Sequence, residues 1–152
     1  MGRQKPSAET LLALRNGARS ELERLEIIVS QAEKRQILDD FKNRFNMCES
    51  VYKFILAEHQ KWNGSTNIDY LKIDMRQVPH ALAFAGYSFD HSLLTELFGA
   101  KGKKGTTAKK LRDAVTHGLD EKAVKEICAR KDELFGYMDT FLNTIKTFDN
   151  AA

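Results

Sequence analysis

The chain has little that would interrupt a helix and little that would cross-link one segment to another. Of its 152 residues only two are proline, Pro6 and Pro79, and only two are cysteine, Cys48 and Cys128. Scarce proline leaves long stretches free to propagate helix, and alternating β-branched runs of the kind that mark strands are nowhere evident. Both cysteines fall on apolar helical positions, which suits reduced, buried thiols better than a disulfide framework or a metal site. No apolar run approaches the ~20 residues of a membrane-spanning helix. The basic start, Met1 to Ser7, leads into no apolar signal region, and Pro6 stands where a myristoylation signal would want Ser or Thr, so the expected location is the cytoplasm. Acidic residues are missing from one place in particular. Residues 97–112 contain none, yet they hold Lys101, Lys103, Lys104, Lys109, Lys110 and Arg112.

That stretch carries six positive charges in a chain whose net charge is +3, which leaves the remainder at −3. A local asymmetry of this kind points to an anionic partner that meets one part of the surface, and a polyphosphate is the simplest candidate. With 42% apolar residues the chain can bury a core, and its length fits a single domain over residues 1–152, with 1–7 and 149–152 expected to be flexible.

Helical periodicity is clearest in two stripes. Leu38, Phe41, Phe45, Cys48, Tyr52, Ile55, His59 and Trp62 alternate in steps of three and four. So do Val124, Ile127, Lys131, Leu134, Met138, Phe141, Ile145 and Phe148, with Lys131 the polar exception. Stripes of this length belong to bundle helices packed at shallow angles. Upstream, Leu11, Leu14, Ala18, Leu22, Leu25 and Val29 form another face. Its phase slips near residue 32, where a hairpin or a bend is expected, and Asn16 with Gly17 could end a short first helix. Asn63 to Asn67 reads as a loop, and helices are expected over about Met75 to Ala85 and Phe89 to Phe98. A lysine-glycine loop over Gly99 to Thr107 follows. A short helix carrying Arg112 then ends at Gly118, and Asp120 caps a long final helix.

Where that short helix ends, Arg112 is followed by Asp113, Ala114, Val115, Thr116 and His117. Histidine titrates near neutrality and can take or give a proton, while arginine keeps its charge and grips phosphate oxygens with a planar fork. Metal-free cleavage of RNA needs both: a base for the ribose 2′-hydroxyl, an acid for the departing 5′-oxygen, and positive charge on the five-coordinate phosphate. On a straight helix the two residues point about 140 degrees apart, so they converge only through the reach of Arg112 or distortion of the last turn.

Arg112, four intervening residues and His117, with the polar Asp113 after the arginine, resemble the signature of the HEPN superfamily, helical domains of which many are ribonucleases in toxin and phage-defence systems. The resemblance implies an up-and-down helical bundle with long first and last helices and short helices between them. It implies a homodimer whose composite site needs no metal and no cofactor and leaves 2′,3′-cyclic phosphate and 5′-hydroxyl ends. Arg112 and His117 would be catalytic, Asp113 and Thr116 would support them, and Lys101, Lys103, Lys104, Lys109 and Lys110 would bind RNA. An antitoxin protein is a further implied partner. Leu119 stands where some family toxins carry the tyrosine that a partner antitoxin nucleotidylates, which puts that mode of silencing in doubt. The alternatives are a non-catalytic module of the same shape that binds RNA, nucleotide or protein, and a helical interaction protein whose basic loop is incidental.

Overall fold

The computed structural model describes residues 6–62, 64, 77–118 and 120–147. The loop after Trp62 apart from Gly64, the start of the second helix at Met75, Leu119, Phe148 and both chain ends lie outside the described residues. Among those described, the chain is all-α: six helices and no strand. They are α1 (Ala8–Trp62), α2 (Val78–Phe84), α3 (His91–Phe98), α4 (Ala108–Thr116), α5 (Glu121–Ala129) and α6 (Lys131–Thr147). The chain divides into two units, Met1–Gln36 and Ile37–Ala152, and α1 belongs to both.

In the first unit α1 starts at Ser7, whose Oγ accepts from the Thr10 N–H at 3.1 Å. It then runs on as one long helix, the second of the two expected alternatives, with no hairpin near residue 32. Neither Asn16 with Gly17 nor the slip of phase near residue 32 interrupts it. A single glycine in an exposed helix costs only about 1 kcal/mol, and the neighbouring Glu, Arg, Leu and Ala residues are good helix formers. Among the described residues of this unit nothing covers its apolar side chains, and Leu12, Leu14, Leu22, Ile27 and Val29 are all more than half exposed.

In the second unit the expected stripe of α1 is buried. Phe41, Phe45, Cys48 and Tyr52 are fully covered, and they meet Leu97 and Phe98 of α3, Leu111 of α4, Ile127 of α5 and Leu134, Met138 and Phe141 of α6 in one core. Aromatic rings dominate its centre. Phe98 lies 6.0 Å from Phe45, 5.5 Å from Tyr52 and 5.5 Å edge-on from Phe141, centroid to centroid. The Cys48 thiol points at the Met138 carbonyl, and burial pushes its pKa up to about 12, so it stays protonated. Cys128 is half-buried and also free.

The expected long final helix is divided in two at Arg130, whose backbone leaves the helical range at φ −104° and ψ 19°. Neither proline nor glycine sits at the break. The Arg130 side chain instead turns back to Glu126, Glu133 and the Thr106 carbonyl, a set of tertiary bonds that hydrophobic periodicity does not encode. Because Phe98 joins α1, α3 and α6, Phe98→Ala is expected to destabilise the fold by about 3–5 kcal/mol. Urea unfolding followed by circular dichroism measures this, and a loss below about 1 kcal/mol would mean that the core closes around the gap.

Candidate functional site

The lysine-glycine segment has no regular structure, yet it is tied at every few residues. The Gly99 N–H closes α3 on the Thr95 carbonyl at 2.9 Å. Thr107, almost fully buried, donates its hydroxyl to the Gly99 carbonyl at 2.8 Å and caps α4 by accepting from the Lys110 N–H. Between these ends, Glu96 and Glu126 hold the loop by its backbone. Glu96 Oε1 accepts from the Lys103 N–H at 2.8 Å, and Glu126 accepts from both the N–H and the hydroxyl of Thr106. Arg130 donates to the Thr106 carbonyl at 2.8 Å. Two glycines make the closeness possible. A Cβ on Gly102 would strike the Gly105 carbonyl and Glu96 Oε2, and one on Gly105, whose φ of +147° already favours glycine, would meet the Arg130 guanidinium at 2.7 Å.

The choice of backbone partners has an electrostatic consequence. The carboxylates beneath the loop bond amides, a hydroxyl and Arg130 in place of lysines, and Glu96 Oε2 is buried with no hydrogen-bond partner among the described residues. Lys101, Lys103, Lys104 and Lys110 are exposed and Lys109 half-exposed; among the described residues none of the five forms an ion pair. Burial opposes the Glu126 charge, but the two bonds from Thr106 and the Arg130 guanidinium outweigh it and hold the carboxyl below its ordinary range. Tyr137 completes the support by donating to Glu133 at 2.6 Å, and burial together with Glu133 pushes its pKa up to about 12. A cavity of about 280 Å³ lies beside the loop, lined by Glu96, Lys103, Lys104 and Tyr137 among others.

Arg112 lies mid-way along α4 and is turned toward α1. Its Nε donates to Asp113 at 2.9 Å, one Nη to Asn46 at 2.9 Å and the other to Glu49 at 2.7 Å, while its guanidinium lies 4.6 Å above the Phe45 ring. Three of the five N–H donors of an arginine are therefore used, and two remain. Glu49 also receives Lys53 at 3.2 Å. Burial works against the Glu49 charge, yet Arg112 and then Lys53 prevail and hold the carboxyl below its usual value.

His117 follows the last turn of α4 as its C-cap and is exposed; its N–H bonds the Asp113 carbonyl at 3.1 Å. No hydrogen bond or ion pair joins His117 to Arg112, so the two are not brought together within one chain. Asp113 orients Arg112 and not His117, and the Thr116 hydroxyl donates to the Arg112 carbonyl at 2.7 Å, inside the helix. Asn46 and Glu49 are partners of Arg112 that sequence reasoning missed. They sit on the polar edge of the α1 stripe, one and four residues after Phe45, and knowing which helix packs there is what would have exposed them. Among the described residues, no group of three or more His, Cys, Asp or Glu side chains could hold a metal ion.

The Glu49–Arg112 pair sets a pH dependence. A carboxyl whose folded pKa lies below the ordinary value near 4.3 contributes stability at neutral pH, and that stability is lost as pH falls through the folded value. Glu49→Gln is expected to cost about 1–2 kcal/mol at pH 7. Denaturant titrations of both proteins from pH 7 down to 3 should converge at the acid end, and curves that stay parallel would deny the ion pair this role. Protein-family models, curated proteins and solved structures were all compared with this chain, and none matches.

Proposed function

We propose that this chain is a metal-independent endoribonuclease that acts as a homodimer through Arg112 and His117. One observation carries the reading. The single helix α4 has the exposed lysines at its start, a fixed Arg112 with two spare donors in its middle, and an exposed histidine at its end. From Thr107 to His117 the helix rises about 15 Å, a span that a few nucleotides of a single strand cover. Lys101, Lys103, Lys104, Lys109 and Lys110 draw in the phosphate backbone with little base readout. The spare N–H groups of Arg112 bind the non-bridging oxygens of the phosphate that reacts, and they arrive without reorganisation because Glu49, Asn46, Asp113 and Phe45 already hold the fork.

In the homodimer, one His117 takes the 2′-hydroxyl proton as that oxygen attacks phosphorus. The second copy's His117, protonated, gives a proton to the departing 5′-oxygen. The products are a 2′,3′-cyclic phosphate and a 5′-hydroxyl. A toxin or phage-defence setting, with an antitoxin as partner, follows from the motif resemblance, and a cytoplasmic location suits it.

A second reading has its own support. Glu49 and Asp113 already neutralise Arg112, which favours a non-catalytic module that binds RNA through the lysines alone. Incubation of the full chain and of His117→Ala with total RNA in EDTA separates the two. Cleavage that leaves cyclic phosphate ends and disappears in the variant is expected. Intact RNA with both proteins, together with retained RNA binding, would replace the enzyme by the module. On either reading, Lys103→Glu with Lys104→Glu should weaken RNA binding by roughly tenfold or more at low salt and flatten its salt dependence. Unchanged affinity in filter binding would make the basic loop incidental.

A further inference from the structure

The hydrogen bond from Arg112 to Asn46 fixes an amide whose other half has no partner. Asn46 is exposed on α1, one residue after the buried Phe45, and its Oδ1 accepts from Arg112 Nη1 at 2.9 Å. A guanidinium has donors only, so the amide oxygen faces Arg112 and Nδ2 is turned to the other side of the group. Among the described residues Nδ2 donates to nothing. Glu49 differs, since its two oxygens take Arg112 at 2.7 Å and Lys53 at 3.2 Å.

The free amide lies beside free arginine donors. Nη1 carries two hydrogens and gives one to Asn46, and Nη2 gives one of its two to Glu49. Nδ2 shares its carbon with the oxygen that Nη1 touches, so the two nitrogens are separated by one amide group and one hydrogen bond. The paired non-bridging oxygens of one phosphate bridge such a gap. An amide also suits the electrostatics there. Glu49 and Asp113 already offset the Arg112 charge, whereas a neutral N–H donor carries no charge for them to cancel. If holding Arg112 were the only task, an aspartate would hold it more firmly through an ion pair. Asparagine holds it less firmly and keeps a donor on its outer side.

We propose that Asn46 is a second phosphate-binding residue of the Arg112 site, its Nδ2 amide donating to a non-bridging oxygen of the phosphate that Arg112 holds. The role in cleavage rests on the nuclease reading above. As O2′ bonds to phosphorus and the bond to O5′ breaks, negative charge grows on the non-bridging oxygens and the amide bond strengthens, while the protons pass through His117 as described.

Two measurements on the full chain test it. In EDTA with a short RNA, Asn46→Ala is expected to lower kcat by roughly ten- to a hundredfold, and the penalty for sulfur at one non-bridging oxygen of the scissile phosphate should be smaller in Asn46→Ala than in the wild type, because sulfur is a weak acceptor. Equal sulfur penalties in the two proteins overturn the proposal and reduce Asn46 to a support for Arg112. So does cleavage by Asn46→Ala at the wild-type rate. The second measurement needs no cleavage. In the 15N-labelled protein, the side-chain amide pair that vanishes in Asn46→Ala is expected to shift on titration with a short 2′-O-methyl oligonucleotide, which lacks the attacking hydroxyl. A protein that binds this oligonucleotide with the pair unmoved overturns the contact. A shifted pair in a chain that binds RNA and does not cut it supports the contact and overturns the nuclease reading alone; a chain that binds no oligonucleotide overturns both.

Discussion

The guanidinium of Arg112 is the interaction on which the candidate site depends. It fastens α4 to α1 by two side-chain bonds and one aromatic face, and each partner lies on the turn that also buries Phe45 and Cys48. The site therefore inherits its rigidity from the core. A lysine in the same place would keep the charge and lose the geometry, because an ammonium cannot lie flat over Phe45 while bonding in three fixed directions. The cost is electrostatic. A cation held by two carboxylates offers an incoming phosphate much less net charge than a free one, so its contribution is direction more than attraction.

Attraction comes from elsewhere, and the loop shows how it is kept available. Had Glu96 and Glu126 paired with lysines, the cationic surface would have been neutralised from below. They bond backbone N–H groups and Thr106 instead, and Arg130, shared between Glu126 and Glu133, offsets part of their charge. Order and positive potential are thereby obtained together, where a flexible lysine-glycine loop would have potential alone. The same Arg130 stands between α5 and α6, so the break in the final helix and the anchoring of the loop meet at one residue.

Much of the fold was legible because it follows from local rules. The α1 stripe from Phe41 to Ile55, the capping of α5 by Asp120 and the position of α4 before Gly118 all emerge from spacing and cap chemistry within a few residues. The start of α3 does not. Apolar spacing extends that helix back to Phe89, whereas Asp90 accepts from the Ser92 N–H and starts it at His91. What stayed hidden is long-range. Asn46 and Glu49 lie more than sixty residues from Arg112, and Glu126 lies twenty from Thr106. A single sequence carries no pairing signal across such gaps. The motif was visible as residue types, but its arginine faces α1 while its histidine faces solvent, and periodicity could not decide that.

α1 is continuous, yet its apolar residues change in kind and in exposure along it. From residue 37 onward its stripe is aromatic and steps in threes and fours that the other five helices cover; before residue 37 it is aliphatic and repeats every eleven. Large rings suit a core where several helices converge at different angles, since Phe45 and Phe98 fill irregular space at tilted orientations. Before residue 37 leucine, alanine and valine lie along a helix that nothing among the described residues of its unit covers. The slip of phase near residue 32 therefore marks the passage from one stripe to the next and not an interruption of the helix, which is why spacing alone misplaces a boundary there.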